Sequence, residues 1–153
     1  VSSGPRQPGL LIGIGTDYRG DDQAGLEVAR RLLGRMAGMD VREFSGDGAV
    51  LLETWSGHAR VILVDVCRSG APAGTLHRWR LPGDRLPAAL RLGSSHQFGV
   101  AGALALAEAL GHLPEQLDLH AIEGARFGLG EPMSPAVERA VASLVAELAA
   151  RTV

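Results

Sequence analysis

Short apolar runs alternate along the chain with longer stretches of helical spacing. Residues 10–14, "LLIGI", are an apolar run that predicts a strand, followed by a loop over 15–21. From Asp22 the pattern turns helical: Leu26, Ala29, Leu32, Leu33 and Met36 fall on one face, and Gly38 is placed to end the helix. "MDVREF" at 39–44 reads as a second strand and "GAVLLETWSG" at 48–57 as a short helix. "RVILVDV" at 60–66 is the clearest strand, apolar without a break until Asp65, as expected of a central parallel strand covered on both faces. "GTLHRWRL" at 74–81 alternates instead, with Leu76 and Arg78 on one side and His77 and Trp79 on the other, which suits an edge strand. Residues 97–110 form a small-residue helix that turns Val100, Ala103, Leu104, Ala107 and Leu110 inward, with Gly111 as its stop. "LDLHAIE" at 117–123 is another strand. The last helix, "SPAVERAVASLVAELAARTV", has Ser134 as its cap and Pro135 in its first turn. Its buried stripe is Val137, Val141, Leu144, Val145 and Leu148.

Such alternation implies an α/β fold: a single-domain three-layer sandwich with a mostly parallel, twisted central sheet and helices on both faces. Residues 1–9 read as a flexible lead-in and 10–153 as the one domain. The pattern leaves strand order open. A chain of 153 residues, 46% of them apolar, can build a real core. No apolar run reaches the roughly 18 residues of a membrane span. "VSSGPRQPG" has no apolar secretory core after a basic start. With one cysteine, Cys67, no internal disulfide can form. These features predict a cytoplasmic protein without a membrane partner. A formal net charge of -2 gives no field that would gather nucleic acid. All 15 cationic Lys+Arg side chains are arginines, which excludes a Schiff-base lysine and a Walker-type phosphate loop.

The candidate chemistry begins at "GIGTDYRGDDQAG", residues 13–25. Its glycines follow a GxGxxxxG spacing, unlike the GxGxxG of a dinucleotide site. Asp17, Asp21 and Asp22 would repel a pyrophosphate, and a helix dipole of about half a charge could not offset them. Asp21 reads as structural, accepting free backbone N–H groups at the helix start. Asp22 is then free to project into a cleft at the carboxyl end of the first strand, where ligands bind in open α/β sheets. Asp65 ends a buried strand and needs hydrogen bonds, a cation or solvent; the N–H groups of "CRSGAP" are one source. His96 in "GSSHQFG" lies at the next helix start, capped by Ser94 or Ser95, and either faces the same rim or serves as a partly exposed capping residue. His58 and His112 read as solvated loop residues, His77 and His120 as sheet-surface ones.

Asp22, Asp65 and His96 together offer two carboxylates and an imidazole. That set suits a first-row transition metal with positions left for water or substrate, and equally suits acid–base chemistry. Neither an HExxH helix nor a GxSxG elbow is present. Cys67 reads as a small buried residue at a strand end, or, paired with His96, as the nucleophile of a cysteine hydrolase.

In this order the motifs resemble the hydrogenase maturation proteases, the nickel-dependent processing endopeptidases of [NiFe]-hydrogenases. Three segments carry the likeness: Gly13-Ile14-Gly15-Thr16 with Asp21-Asp22-Gln23-Ala24-Gly25, then "VILVDVCRSG" with Asp65, then "SSHQFGVAGALALA" with His96. "GEPMSPAVERAV" adds to it near the end of the chain. Thr16 stands where the family usually has Asn, and Gln23 where Gly is frequent. The resemblance implies removal of a C-terminal extension from the nickel-loaded large-subunit precursor. It also implies that Asp22, Asp65 and His96 engage nickel supplied by that precursor rather than a permanently bound ion. The carboxylates place the expected activity among aspartic-type endopeptidases. Arg19 and Arg68, near the cleft, either contact the precursor's terminal region or are ordinary surface residues. The changes at Thr16 and Gln23 keep open a non-catalytic, nickel-sensing or chaperone-like module for the same precursor.

Overall fold

The computed structural model describes residues 7–88, 90–93 and 99–151. The strands are β1 (Gly9–Ile14), β2 (Met39–Phe44), β3 (Arg60–Arg68), β4 (Leu76–Leu81), β5 (Arg91–Leu92) and β6 (Gln116–Glu123). The helices are α1 (Ala24–Leu32), α2 (Gly48–Trp55), α3 (Val100–Leu110) and α4 (Pro135–Ala150), with a 3-10 turn at Gly20–Gln23 leading into α1. The sheet runs β2-β1-β3-β6-β4, with β5 pairing β3 off this path. Pairings β1–β2, β1–β3 and β3–β6 are parallel, while β4 and β5 are antiparallel to their neighbours. The fold is thus the expected α/β sandwich around a mostly parallel sheet.

Alternate residues of the central strands feed two cores. Leu11, Ile62, Val64 and Ile122 point to the face covered by α1 and α4. Leu10, Ile12, Val61, Leu63, Leu117 and Leu119 point to the face covered by α2 and α3. Both faces of β3 are therefore dry, which is why its sequence is continuously apolar. All five residues of the expected α4 stripe are buried. Asp47 begins α2 by accepting the N–H groups of Ala49 and Val50. No helix among the described residues is long and apolar enough to cross a membrane.

The expected elements are corrected at their ends. Helix α1 stops at Leu32, because Leu33 turns extended and Gly34 takes a φ of 76°; Leu33 is 67% exposed rather than buried. Leu110 is 55% exposed: with Leu106 it lies on the solvent stripe of α3, one turn apart. Strand β3 runs on to Arg68, since Cys67 and Arg68 pair with Leu92 and Arg91 of β5. Asp65 consequently lies inside the strand instead of ending it.

Candidate active site

Strand β1 has β2 on one side and β3 on the other, so chain connections leave it in opposite directions. The crevice beyond the carboxyl ends of β1 and β3 is thus the switch point, where an open α/β sheet can seat a ligand. Two glycines of the opening motif shape it. A side chain at Gly25 would run into the carbonyl oxygens of Ile14 and Val64, so only glycine lets α1 begin directly on β1 and β3. A side chain at Gly15 would run into the Asp22 carbonyl, which accepts the Thr16 N–H at 3.1 Å. These close approaches, and no phosphate, account for the glycine pattern. They hold Asp22 above the gap between the two strand ends.

A small recess, with a cavity volume of about 30 Å³, opens there, lined among others by Thr16, Asp22, Ser45, Asp65, Gly93 and Gly99. Asp22 is 1% exposed and Asp65 fully buried. Asp65 Oδ1 accepts its neighbour's N–H, from Val66, at 2.8 Å; Oδ2 has no hydrogen-bond partner among the described residues. The "CRSGAP" loop does not serve it. Burial pushes the Asp65 carboxyl well above the usual carboxylate range; the Val66 N–H opposes this, and the Asp22 charge adds to it. Both acidic candidates therefore share one cavity. The third, His96, lies outside the described residues together with Ser94 and Ser95. Gly93 and Gly99, on either side of that segment, both line the cavity.

Asp21 is structural, by bonds unlike those expected. It accepts N–H groups from Ala125 (2.7 Å), Arg126 (2.9 Å) and Ser134 (2.7 Å), and the Ser134 hydroxyl as well. It thereby ties the 3-10 turn to the segment between β6 and α4. Burial raises its carboxyl, but these donors outweigh burial and hold it below the ordinary value. Ser134 precedes α4 but makes no side-chain cap, because its hydroxyl serves Asp21.

A second group of polar side chains follows on the same face of β3. Glu123, at the end of β6, accepts the Ser69 N–H (2.9 Å) and hydroxyl (2.5 Å) and lies 3.1 Å from His77 Nε2 and 3.7 Å from Cys67 Sγ. One donor atom each from Cys67, His77 and Glu123 lies within 4.8 Å of the others. Sulfur, imidazole nitrogen and carboxylate oxygen make a metal-ligating set. This corrects the aspartic-type expectation: the cluster points to metal-dependent chemistry rather than to carboxylates acting alone. Cys67 is not a poised nucleophile, since burial first, then Glu123 and Asp65, push its thiol up to about 12. His77 is held on Trp79, the rings stacked with centroids 5.6 Å apart. His120 is no surface residue: it is 3% exposed, and burial, with Arg78 and Arg151 nearby, lowers it to about 4. His58 and His112 lie near element ends as expected, His58 bonding the Pro8 carbonyl through Nδ1.

Sequence reasoning passed over Glu123 and Ser69. The signal for Glu123 was present, an acid ending an apolar strand, as was argued for Asp65. Ser69 carried none, because only the pairing of β3 with β6 brings it to Glu123.

The family described as hydrogenase maturation protease, HycI, matches residues 45–151. No curated protein matches the chain. Among solved structures, the hydrogenase maturating endopeptidase HybD from E. coli superimposes with a TM-score of 0.73 at 17% identity, over 92% of this chain and 89% of that one. The [NiFe] hydrogenase maturation protease HycI from Thermococcus kodakarensis gives 0.71 at 22% identity, over 94% and 91%. HybD from the same organism gives 0.72 at 23%, over 92% and 95%. These structural likenesses establish the shared fold. With the family match running from the end of β2 through α4, the chain belongs to the hydrogenase maturation proteases, endopeptidases that act on the hydrogenase large-subunit precursor.

Proposed function

We propose that the chain removes a C-terminal extension from a [NiFe]-hydrogenase large subunit already carrying its nickel, in the cytoplasm, with Asp22, Asp65 and His96 at the reacting centre. Residues 10–153 form the proposed catalytic domain and 1–9 its lead-in. The observation that carries the reading is the meeting of two buried carboxylates at the switch-point cavity. An ionised carboxylate as buried as Asp65 needs a cation, and nickel arriving with the substrate answers that need. The donor chemistry fits: carboxylate oxygens from Asp22 and Asp65, and an imidazole nitrogen from His96. Metal held beside the scissile bond supplies carbonyl polarisation and a more acidic water. The chain's own part is to present these donors in a recess and to release the Asp65 proton as the cation enters. Thr16 lines the same recess, where the precursor's peptide would pass; contact of Arg19 and Arg68 with its terminal region belongs to the same proposal, with Arg68 lying over the Phe127 ring.

Gln23 does not favour a binding-only module. Its amide donates to the Gly20 carbonyl at 3.0 Å and so supports the turn that presents Asp22. The test is the intact mass of a nickel-loaded large-subunit precursor before and after incubation. We expect one C-terminal loss with wild type and none with Asp22→Ala, Asp65→Ala, His96→Ala or nickel-free precursor. A fully active His96→Ala protein would remove His96 from the centre. Tight precursor binding without any mass loss would establish the binding-only reading instead.

A further inference from the structure

We infer that Cys67, His77 and Glu123 form a resident metal site, distinct from the Asp22–Asp65 cavity, that takes a thiolate-preferring divalent ion such as zinc without the precursor. Three strands supply one ligand each: Cys67 from β3, His77 from β4 and Glu123 from β6. Cys67 pairs in register with Glu123, and His77 lies opposite Ala121, two residues before Glu123 and on its face of β6. In a tetrahedral site with metal–sulfur bonds of about 2.3 Å and metal–nitrogen or metal–oxygen bonds of about 2.0–2.1 Å, ligand atoms lie roughly 3.3–3.7 Å apart. Here His77 Nε2 is 3.1 Å and Cys67 Sγ 3.7 Å from Glu123 Oε1, and all three ligand atoms lie within 4.8 Å of one another, so side-chain rotations that draw Cys67 and His77 together would close the site.

The surroundings are those of a ligand set held in place. Ser69 grips both oxygens of Glu123, through its hydroxyl and its backbone N–H. Outer contacts of this kind orient metal ligands. Trp79 fixes the plane of His77. The His77 side chain is 22% exposed while that of Glu123 is 3% exposed, so an ion has an entry on the β4 side and a dry seat behind it. One carboxylate oxygen and one imidazole nitrogen would suit many cations, but a cysteine ligand selects softer ones. Binding replaces the thiol proton, Cys67–SH plus M²⁺ giving Cys67–S–M⁺ and one H⁺ released to solvent. The ion would join the carboxyl ends of β3 and β6 to the amino end of β4 and so brace the antiparallel edge formed by β4.

The experiment is a titration of the metal-free chain with Co²⁺ alone, followed by displacement with Zn²⁺. We expect saturation at one equivalent, with a thiolate-to-cobalt charge-transfer band in the near ultraviolet and tetrahedral d–d bands in the visible. Zn²⁺ should erase both and raise Tm, because an ion that binds only the folded chain stabilises it by mass action. Cys67→Ser should lose the charge-transfer band. His77→Ala, on the more accessible ligand, should weaken Co²⁺ binding at least tenfold and decides the matter if Cys67→Ser does not fold. Ser69→Ala should weaken it by about tenfold through Glu123. Asp22→Asn should keep the whole spectrum, which separates this site from the one proposed for processing. No charge-transfer band in wild type, or cobalt binding lost with Asp22→Asn and kept with His77→Ala, would overturn the inference and leave Cys67, His77 and Glu123 as a hydrogen-bonded tie.

Discussion

Replacing Asp21 tests the division of labour between the two adjacent aspartates. In Asp21→Ala, three backbone N–H groups, from Ala125, Arg126 and Ser134, and the Ser134 hydroxyl lose their acceptor. A buried donor left without a partner costs about 1–3 kcal/mol. The segment carrying Ala125 and Arg126 is exposed at its surface, so water can relieve part of this, and Ser134 is the more deeply held. Summed at the lower end, the loss is roughly 3–5 kcal/mol, a large share of the stability of a domain this size. Asp21→Asn keeps one acceptor oxygen and turns an NH₂ toward donors, so it should lose roughly 2–3 kcal/mol. Urea unfolding followed by circular dichroism measures both. The pH dependence gives an independent check. The folded-state pKa lies below the unfolded value of about 3.9, so the contribution of Asp21 is fully present above that pH. The ionisation-linked part is lost as pH falls through the folded pKa, and the gap between wild type and Asp21→Ala should narrow in that range. A loss under about 1 kcal/mol at pH 7, or a gap that stays constant down to acid pH, would refute the assignment of Asp21 as the tie between the 3-10 turn and α4.

Other substitutions separate packing, surface charge and chemistry. Asp65→Asn keeps the Val66 bond and replaces a buried ionisable group beside Asp22 with a neutral amide that has no proton to release to an entering cation. It should fold at least as stably as wild type in urea while slowing precursor processing by roughly 100-fold or more, read by intact mass. Gly25→Ala drives a methyl into two backbone carbonyls and should cost about 3 kcal/mol or more, seen as a lower urea midpoint. Arg30 bridges Asp17 and Glu43 at an exposed position. Arg30→Ala should cost only about 0.2–1 kcal/mol, and less in high salt.

Periodicity and punctuation alone determined the order and type of the main elements, the two-sided burial of β3 and the apolar stripe of α4. These depend on neighbours in sequence, because a helix or strand shows its buried side every few residues. Element ends were less legible. Leu33 continues the α1 pattern, yet the backbone leaves the helix at that residue, and apolar type does not report such a departure. The motif glycines were visible, but their reason was not: Gly25 is required by carbonyl oxygens of β1 and β3, the latter far along the chain. Asp22 and Asp65 could be singled out from the sequence as acids at the carboxyl rim. That they share a buried cavity followed only when β1 and β3 became neighbours. His77 and Glu123 lay in two segments read separately as strands and Cys67 just past the end of a third, and parallel and antiparallel pairing to β6 made them one cluster. Strand order decides which distant side chains meet, and it is set by how complete apolar faces pack together. The local alternation of residues carries no record of that choice, so tertiary structure alone resolved it.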